Sequence, residues 1–212
     1  MMQQSYNIQV DPEHYADLRY DTKSRFASYW HQADEITRRK PASVLEVGIG
    51  NGFLHRYLEQ LGIGIHTCDF DERLGPQTVA SVLDLPFGDG EFDMVCCFET
   101  LEHLPFGDFD RGLDELCRVA SRYVLISLPD VTPYVRVDIK GSVGRIVNGI
   151  KDLPNLRPRT HKFDGEHYWE VGKRGYALED IVARLTAHGL ILEDNFRVFE
   201  QPYHRFLSCR KA

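Results

Sequence analysis

The stretch "SVLEVGIGNGFLHRYL" (residues 43–58) sets Glu46 inside an apolar run and follows it with Gly48, Gly50 and Gly52. "SVLEV" has the composition of a buried strand, and "NGFLHRYLEQLG" has helical spacing closed by Gly62. Glycine lacks a Cβ, so a strand that turns sharply into a helix there brings bare backbone close to a ligand. In parallel sheets ligands sit outside the carboxyl ends of strands, where these glycines fall. A dinucleotide-binding turn reads G-x-G-x-x-G, whereas here Phe53 stands where the third glycine belongs. A carboxylate just ahead of the turn repels a diphosphate and attracts an ammonium. A nucleoside that carries an amino acid satisfies both observations. Glu46 could also serve only to cap the turn through backbone N–H groups.

Working outward, "IGIHTCD" is a second strand, "TVASVL" a third and "FDMVCCF" a fourth whose unbroken apolarity predicts burial on both faces. "FDRGLDELCRVA" is an amphipathic helix leading into the strand "RYVLISLPD". Alternating strands and helices predict an α/β fold with a parallel sheet. Upstream, residues 11–40 carry Tyr15, Leu18, Phe26, Tyr29, Trp30 and Ile36 at helical spacing, which predicts one or two helices ended by Pro41. Tyr15, Tyr20 and Trp30 are candidates for a lid over the ligand, with core packing the expectation at least for Trp30. Downstream, residues 129–172 form an irregular insert with a short helix expected around "SVGRIVNGI". "ALEDIVARLTAHG" is then a helix stopped by Gly189, and "LILEDNFRVFE" and "HRFLSCRK" pair as an antiparallel hairpin through Gln201, Pro202 and Tyr203. The expected organisation is one domain: 1–42 a helical cap, 43–128 the ligand-binding core, 129–172 a substrate-side insert, and 173–212 a terminal helix and hairpin.

The 212 residues are 42% hydrophobic and carry a net charge of −7, which argues against a nucleic-acid partner. No apolar run is long enough for a membrane helix and no signal peptide is visible, so the expected location is cytoplasmic, with no membrane partner. Cys68, Cys96, Cys97, Cys117 and Cys209 show neither disulfide nor metal spacing and read as buried free thiols in a reducing compartment. Oligomeric state cannot be read from these features.

The pattern E-x-G-x-G-x-G after a first strand, an acid ending the second, and "FDMVCCFETLEHL" at the fourth resemble the class I S-adenosylmethionine-dependent methyltransferases, of the type 11-like group. The specific motifs cover residues 43–128. The resemblance implies a Rossmann-like, doubly wound sheet of seven strands in the order 3-2-1-4-5-7-6, with strand 7 antiparallel. It implies S-adenosylmethionine as cofactor and S-adenosylhomocysteine as product. By the same resemblance Glu46, Gly48, Gly50 and Gly52 surround the methionine part, and Asp69 holds the ribose hydroxyls, with Asp71 second for that role. Asp84 matches the position that reaches the adenine amino group, with the Leu85 backbone beside the ring, though Asp84 could equally be a turn residue before Pro86. Phe98 and Glu99 close the methionine end. Only "FDERLGPQTV" separates the second and third strands, so the usual helix between them must be truncated.

His103, just past the fourth strand, is a candidate catalytic base or a residue that hydrogen-bonds a loop and holds the helix entry, and His167 in "HKFDGEHYWEVG" is a second candidate base. That second stretch sets His161, Asp164, Glu166, Tyr168, Trp169 and Glu170 beside His167, as a pocket rim or as a loop packed on the core. No metal site is expected, because His161, Asp164 and His167 fit no familiar ligand spacing. Arg136, Lys140, Arg145, Lys151, Arg157, Arg159 and Lys162 either attract an anionic small-molecule acceptor or form only a solvated surface. The function so read is methyl transfer to a small molecule. A non-catalytic cofactor-binding module and, less favoured, a nicotinamide-dependent oxidoreductase are the competing readings.

Overall fold

The computed structural model describes residues 10–15, 17, 19–142 and 144–212, with the backbone alone for Arg145 and Ile146. Leu18 and the Arg145 side chain, both used above, lie outside the described residues. The chain opens with α1 (Pro12–Tyr15) and α2 (Lys23–Thr37), then alternates β1 (Val44–Val47), α3 (Phe53–Gln60), β2 (Ile65–Asp69), β3 (Thr78–Val79) and β4 (Phe92–Phe98). Next come α4 (Phe109–Val119), β5 (Ala120–Pro129), β6 (Tyr134–Gly141) and β7 (Gly144–Asp152), and finally α5 (Leu178–Ala187), β8 (Leu190–Arg197) and β9 (His204–Lys211).

Seven strands form one sheet in the order β3-β2-β1-β4-β5-β9-β8. Strands β1 to β5 run parallel, and β9 enters antiparallel between β5 and β8. The order is the one the resemblance implies, with the last two strands renumbered by the β6–β7 hairpin, which pairs only with itself. β4 is buried along its whole length. Its adjacent cysteines serve opposite faces: Cys97 packs with Val47, Leu113 and Val124, and Cys96 with Met94, Leu54 and Leu58. All five thiols are buried and unpaired. Among the described residues no helix is long and apolar enough to cross a membrane.

Four expectations need correction. Residues 144–152 are a strand and not a helix, pairing with β6 from Tyr134↔Asp152 to Gly141↔Gly144. The signal was the period-two run Val135, Val137, Ile139 facing charged Arg136, Asp138 and Lys140, which suits a hairpin with little helical propensity. The third strand shrinks to Thr78–Val79. α2 ends at Thr37, ahead of Pro41. Trp30 is 60% exposed, because α2 buries the Tyr29, Ala33, Ile36 stripe and turns the next position outward. The link between β2 and β3 holds only a single 3-10 turn, Glu72–Leu74, as its length required.

Candidate active site

Gly48, Gly50 and Gly52 all take left-handed backbone, with φ of +83°, +51° and +67°. That region disfavours any side chain, and at Gly48 a Cβ would also fall 2.2 Å from Thr100 Oγ1. The Gly48 N–H donates to the Cys68 carbonyl at 2.9 Å, holding the loop against the end of β2. Asp69, the last residue of β2, accepts the Ile49 N–H on Oδ2 at 2.9 Å and the Asp71 N–H on Oδ1 at 3.0 Å. Each oxygen thus keeps acceptor capacity for a hydroxyl donor. Asp71, second for this role, is instead paired with Arg73 at 2.8 Å.

Beneath the loop Glu46 is 5% exposed, and its Oε2 has no hydrogen-bond partner among the described residues. The nearest cationic candidate, His55 Nδ1, stands 3.8 Å away. Burial, and then the Asp69 charge, push the Glu46 carboxyl up to about 8. Above the loop the Tyr15 ring lies 3.8 Å from where a Gly50 Cβ would sit, and the Tyr20 hydroxyl 4.0 Å. The two rings meet edge to face at 5.1 Å, with Arg25 over Tyr20. Asn51 of the loop donates to Asp21, as does the Tyr29 hydroxyl, which ties this N-terminal segment to the glycine turn. Burial and the neighbouring Tyr20, Asp69 and Glu166 raise the Tyr15 phenol well above its usual range.

Asp84 is exposed on a turn and makes no hydrogen bond or ion pair to the glycine-loop group among the described residues. Leu85 is buried, and its backbone is held by structural partners: its N–H donates to Glu115 Oε2 at 2.7 Å and its carbonyl accepts from Arg118. Phe98 ends β4, and Glu99 follows with φ +48°, a left-handed conformation unusual for a residue with a side chain.

Past Glu99 the structure assembles a group that sequence spacing only half revealed. Glu99 Oε1 is buried without a partner, and burial pushes the carboxyl up to about 7. Glu102 is fully buried with neither oxygen hydrogen-bonded to another described residue. His103 and His167, 64 residues apart in the chain, meet edge to face at 5.0 Å. Burial, followed by the His167 charge, drops His103 to about 4. His167 is raised against the effect of its own burial, by its bond to Glu170 and the charges of Asp164 and Glu99. Glu170 falls to about 2 despite burial, held ionised by His167, Tyr203 and Lys173. Trp169 is no rim residue: it is fully buried, donates from Nε1 to the Leu104 carbonyl at 3.2 Å and packs on Phe106 and Phe109. Glu102, Glu170, Tyr203 and His204 were not singled out as site residues from the sequence, except that Glu170 was noted beside His167. The "ETLEHL" run carried the Glu102 signal; Tyr203 and His204 arrive from a distant hairpin. Arg136, Lys140, Lys151, Arg157, Arg159 and Lys162 are all exposed, so the basic run is a solvated surface while the interior group is acidic.

Residues 45–123 match a family model described as a methyltransferase domain. A tocopherol O-methyltransferase of Arabidopsis thaliana, chloroplastic, is 34% identical over 105 residues, 42% of this chain. The chain spans only 30% of that relative's length. Among solved structures, 1,6-didemethyltoxoflavin-N1-methyltransferase of Burkholderia thailandensis, with bound 1,6-didemethyltoxoflavin and S-adenosylhomocysteine, superposes with a TM-score of 0.62 at 17% identity. The match covers 94% of this chain and 84% of that one. Magnesium protoporphyrin IX methyltransferase of Synechocystis, with bound S-adenosylmethionine, gives 0.59 at 15% identity, over 89% and 80%. The family match thus covers residues 45–123, and these solved methyltransferases share the fold of the chain as a whole.

Proposed function

We propose that the protein transfers a methyl group from S-adenosylmethionine to a small-molecule acceptor. The observation that carries this reading is the unpartnered, buried Glu46 carboxylate under a loop of three left-handed glycines, with Asp69 beside it. A buried carboxylate without a partner is costly, and an ammonium placed in the loop would remove that cost. Glu46 would hold the methionine ammonium, the Gly48–Gly52 backbone would admit its chain, and Asp69 would take the two ribose hydroxyls in charge-assisted bonds. The turn from Ser81 through Asp84 to Leu85 would flank the adenine, and Phe98 and Glu99 would border the methionine end. Tyr15 and Tyr20 would cover the bound nucleoside and exclude water. When bound, the cofactor supplies a methyl carbon on a sulfonium: an acceptor lone pair forms the new bond while the S–C electron pair stays with sulfur. The chain's own contribution is alignment, which accounts for roughly 7–11 kcal/mol of barrier in well-oriented reactions. His103, kept neutral by burial, and His167 beside it would be the groups that take a proton the acceptor releases.

Titration calorimetry tests the assignment. S-adenosylhomocysteine is expected to bind and NAD to give no heat. Asp69→Ala should weaken binding by about 1.5–3 kcal/mol for each bond lost. A well-folded Asp69→Ala, Gly50→Val double variant that binds as tightly as the parent would sink the reading.

A further inference from the structure

We propose that Glu102, His103 and His167 form a binding site for one divalent transition-metal cation on the acceptor side of the glycine loop. One donor atom from each of the three lies within 4.8 Å of the others. Two chain segments are stitched together to bring this about. The Tyr168 N–H donates to the Glu102 carbonyl at 2.8 Å, His103 Nδ1 bonds the Glu166 carbonyl at 3.1 Å, and Trp169 Nε1 bonds the Leu104 carbonyl. The two segments that carry the ligands are therefore held together by three hydrogen bonds at or beside them.

The independent sign of a missing cation is Glu102. Its side chain is fully buried, both carboxylate oxygens lack a partner in other residues, and no Lys or Arg pairs with it among the described residues. Burial, and then the Glu99 charge, raise the Glu102 carboxyl well above the ordinary carboxylate range, and its unpartnered oxygens carry a cost that a bound cation would remove. Glu99, three residues earlier, adds a second buried carboxylate with an unpartnered oxygen to the same negative potential.

The imidazoles are prepared in the manner of ligands. Donation from His103 Nδ1 to a backbone carbonyl fixes the neutral tautomer with its lone pair on Nε2. His167 Nδ1 stands 3.5 Å from Glu170 Oε1, and Glu170 is itself held by Lys173 at 3.2 Å and by the Tyr203 hydroxyl. A carboxylate behind the imidazole orients a ligating ring and raises its basicity. Two imidazoles with one or two carboxylates suit Mn, Fe, Co, Ni or Zn better than Mg or Ca. Three protein ligands leave coordination positions for water or for an oxygen of the methyl acceptor. The cation site stands on this geometry alone; its use by an acceptor rests on the methyltransferase reading.

The test uses the full chain stripped with EDTA and titrated with Mn²⁺, followed by electron paramagnetic resonance, and with Co²⁺, followed by visible absorption. One Mn²⁺ per chain is expected, and bound Co²⁺ should show ligand-field bands of nitrogen and oxygen ligands. Glu102→Gln and His167→Ala should each weaken Mn²⁺ binding by about tenfold or more, the scale seen when even supporting residues of metal sites are changed. Glu102→Gln keeps the side chain's size and replaces a carboxyl that burial holds protonated with a neutral amide, so its melting temperature should not fall, which separates lost binding from lost folding. Absence of Mn²⁺ and Co²⁺ binding, or binding unchanged by both substitutions, would overturn the site. Uptake of propylammonium in place of Mn²⁺ would overturn it in favour of a cationic acceptor. S-adenosylhomocysteine titrated into the same samples reports separately: its failure to bind while Mn²⁺ still binds would reject the methyltransferase reading and leave the cation site intact.

Discussion

At the scale of single residues, Glu46 shows how burial turns a sequence motif into a titrating group. Its carboxyl is raised to about 8 by burial and by Asp69, against an ordinary value of 4.5. The native state then holds a proton that the unfolded chain releases between those two values. Stability contributed by this group is therefore full below the unfolded value and lost as pH rises through the native one, at up to about 1.4 kcal/mol per pH unit. Melting temperatures of the ligand-free protein from pH 5 to pH 8 should fall more steeply for the parent than for Glu46→Gln. Identical slopes would mean that Glu46 is ionised in the native state. An ammonium bound in the loop would favour the ionised form, so ligand binding near pH 7 should release a proton. The motif made Glu46 and the three glycines legible from sequence, because their chemistry is local to one turn. Asp84 lies on an exposed turn past the short β3, where the sequence alone left open both an adenine contact and a simple turn role.

At the scale of elements, the β6–β7 hairpin is tied to the sheet by ions. Asp130, just past β5, pairs with Arg197 at 2.6 Å and with Arg205, and both guanidiniums also reach Asp152 at the end of β7. The arginine side chains are 1% and 4% exposed, so their charges depend on this pairing. Asp130→Ala leaves two guanidiniums in a dry interior and should cost about 3–5 kcal/mol in urea unfolding. A loss under about 1 kcal/mol would show that Asp152 alone suffices. Strands and helices of the core were legible because each has one hydrophobic period. The β6–β7 hairpin was not, because its period-two run has no buried face and a strand pair on the surface resembles a loop until its partner is known.

For the whole molecule, the seven-stranded sheet is the rigid part and the hairpin is an attachment to it. β6 is exposed along nearly its whole length, with Ile139 and Val147 each about half exposed. Replacing residues 139–147 by an Asn-Gly turn, with Asp138 and Asn148 kept, should change unfolding free energy by less than about 1 kcal/mol. S-adenosylhomocysteine affinity should stay the same. A large fall in that affinity, measured by calorimetry, would assign the hairpin a part in the cofactor site.

Read alone, the chain determined the alternation of its core strands and helices, the glycine turn after β1 and the acid at the end of β2. These depend on hydrophobic period and on backbone conformations that only certain residues permit. Tertiary structure alone decided that Tyr15 and Tyr20 lie on Gly50, that Trp30 faces water, and that Glu102, His103 and His167 converge. Those facts depend on which distant segments share a buried space, and a periodic pattern read along one segment contains no term for its neighbours.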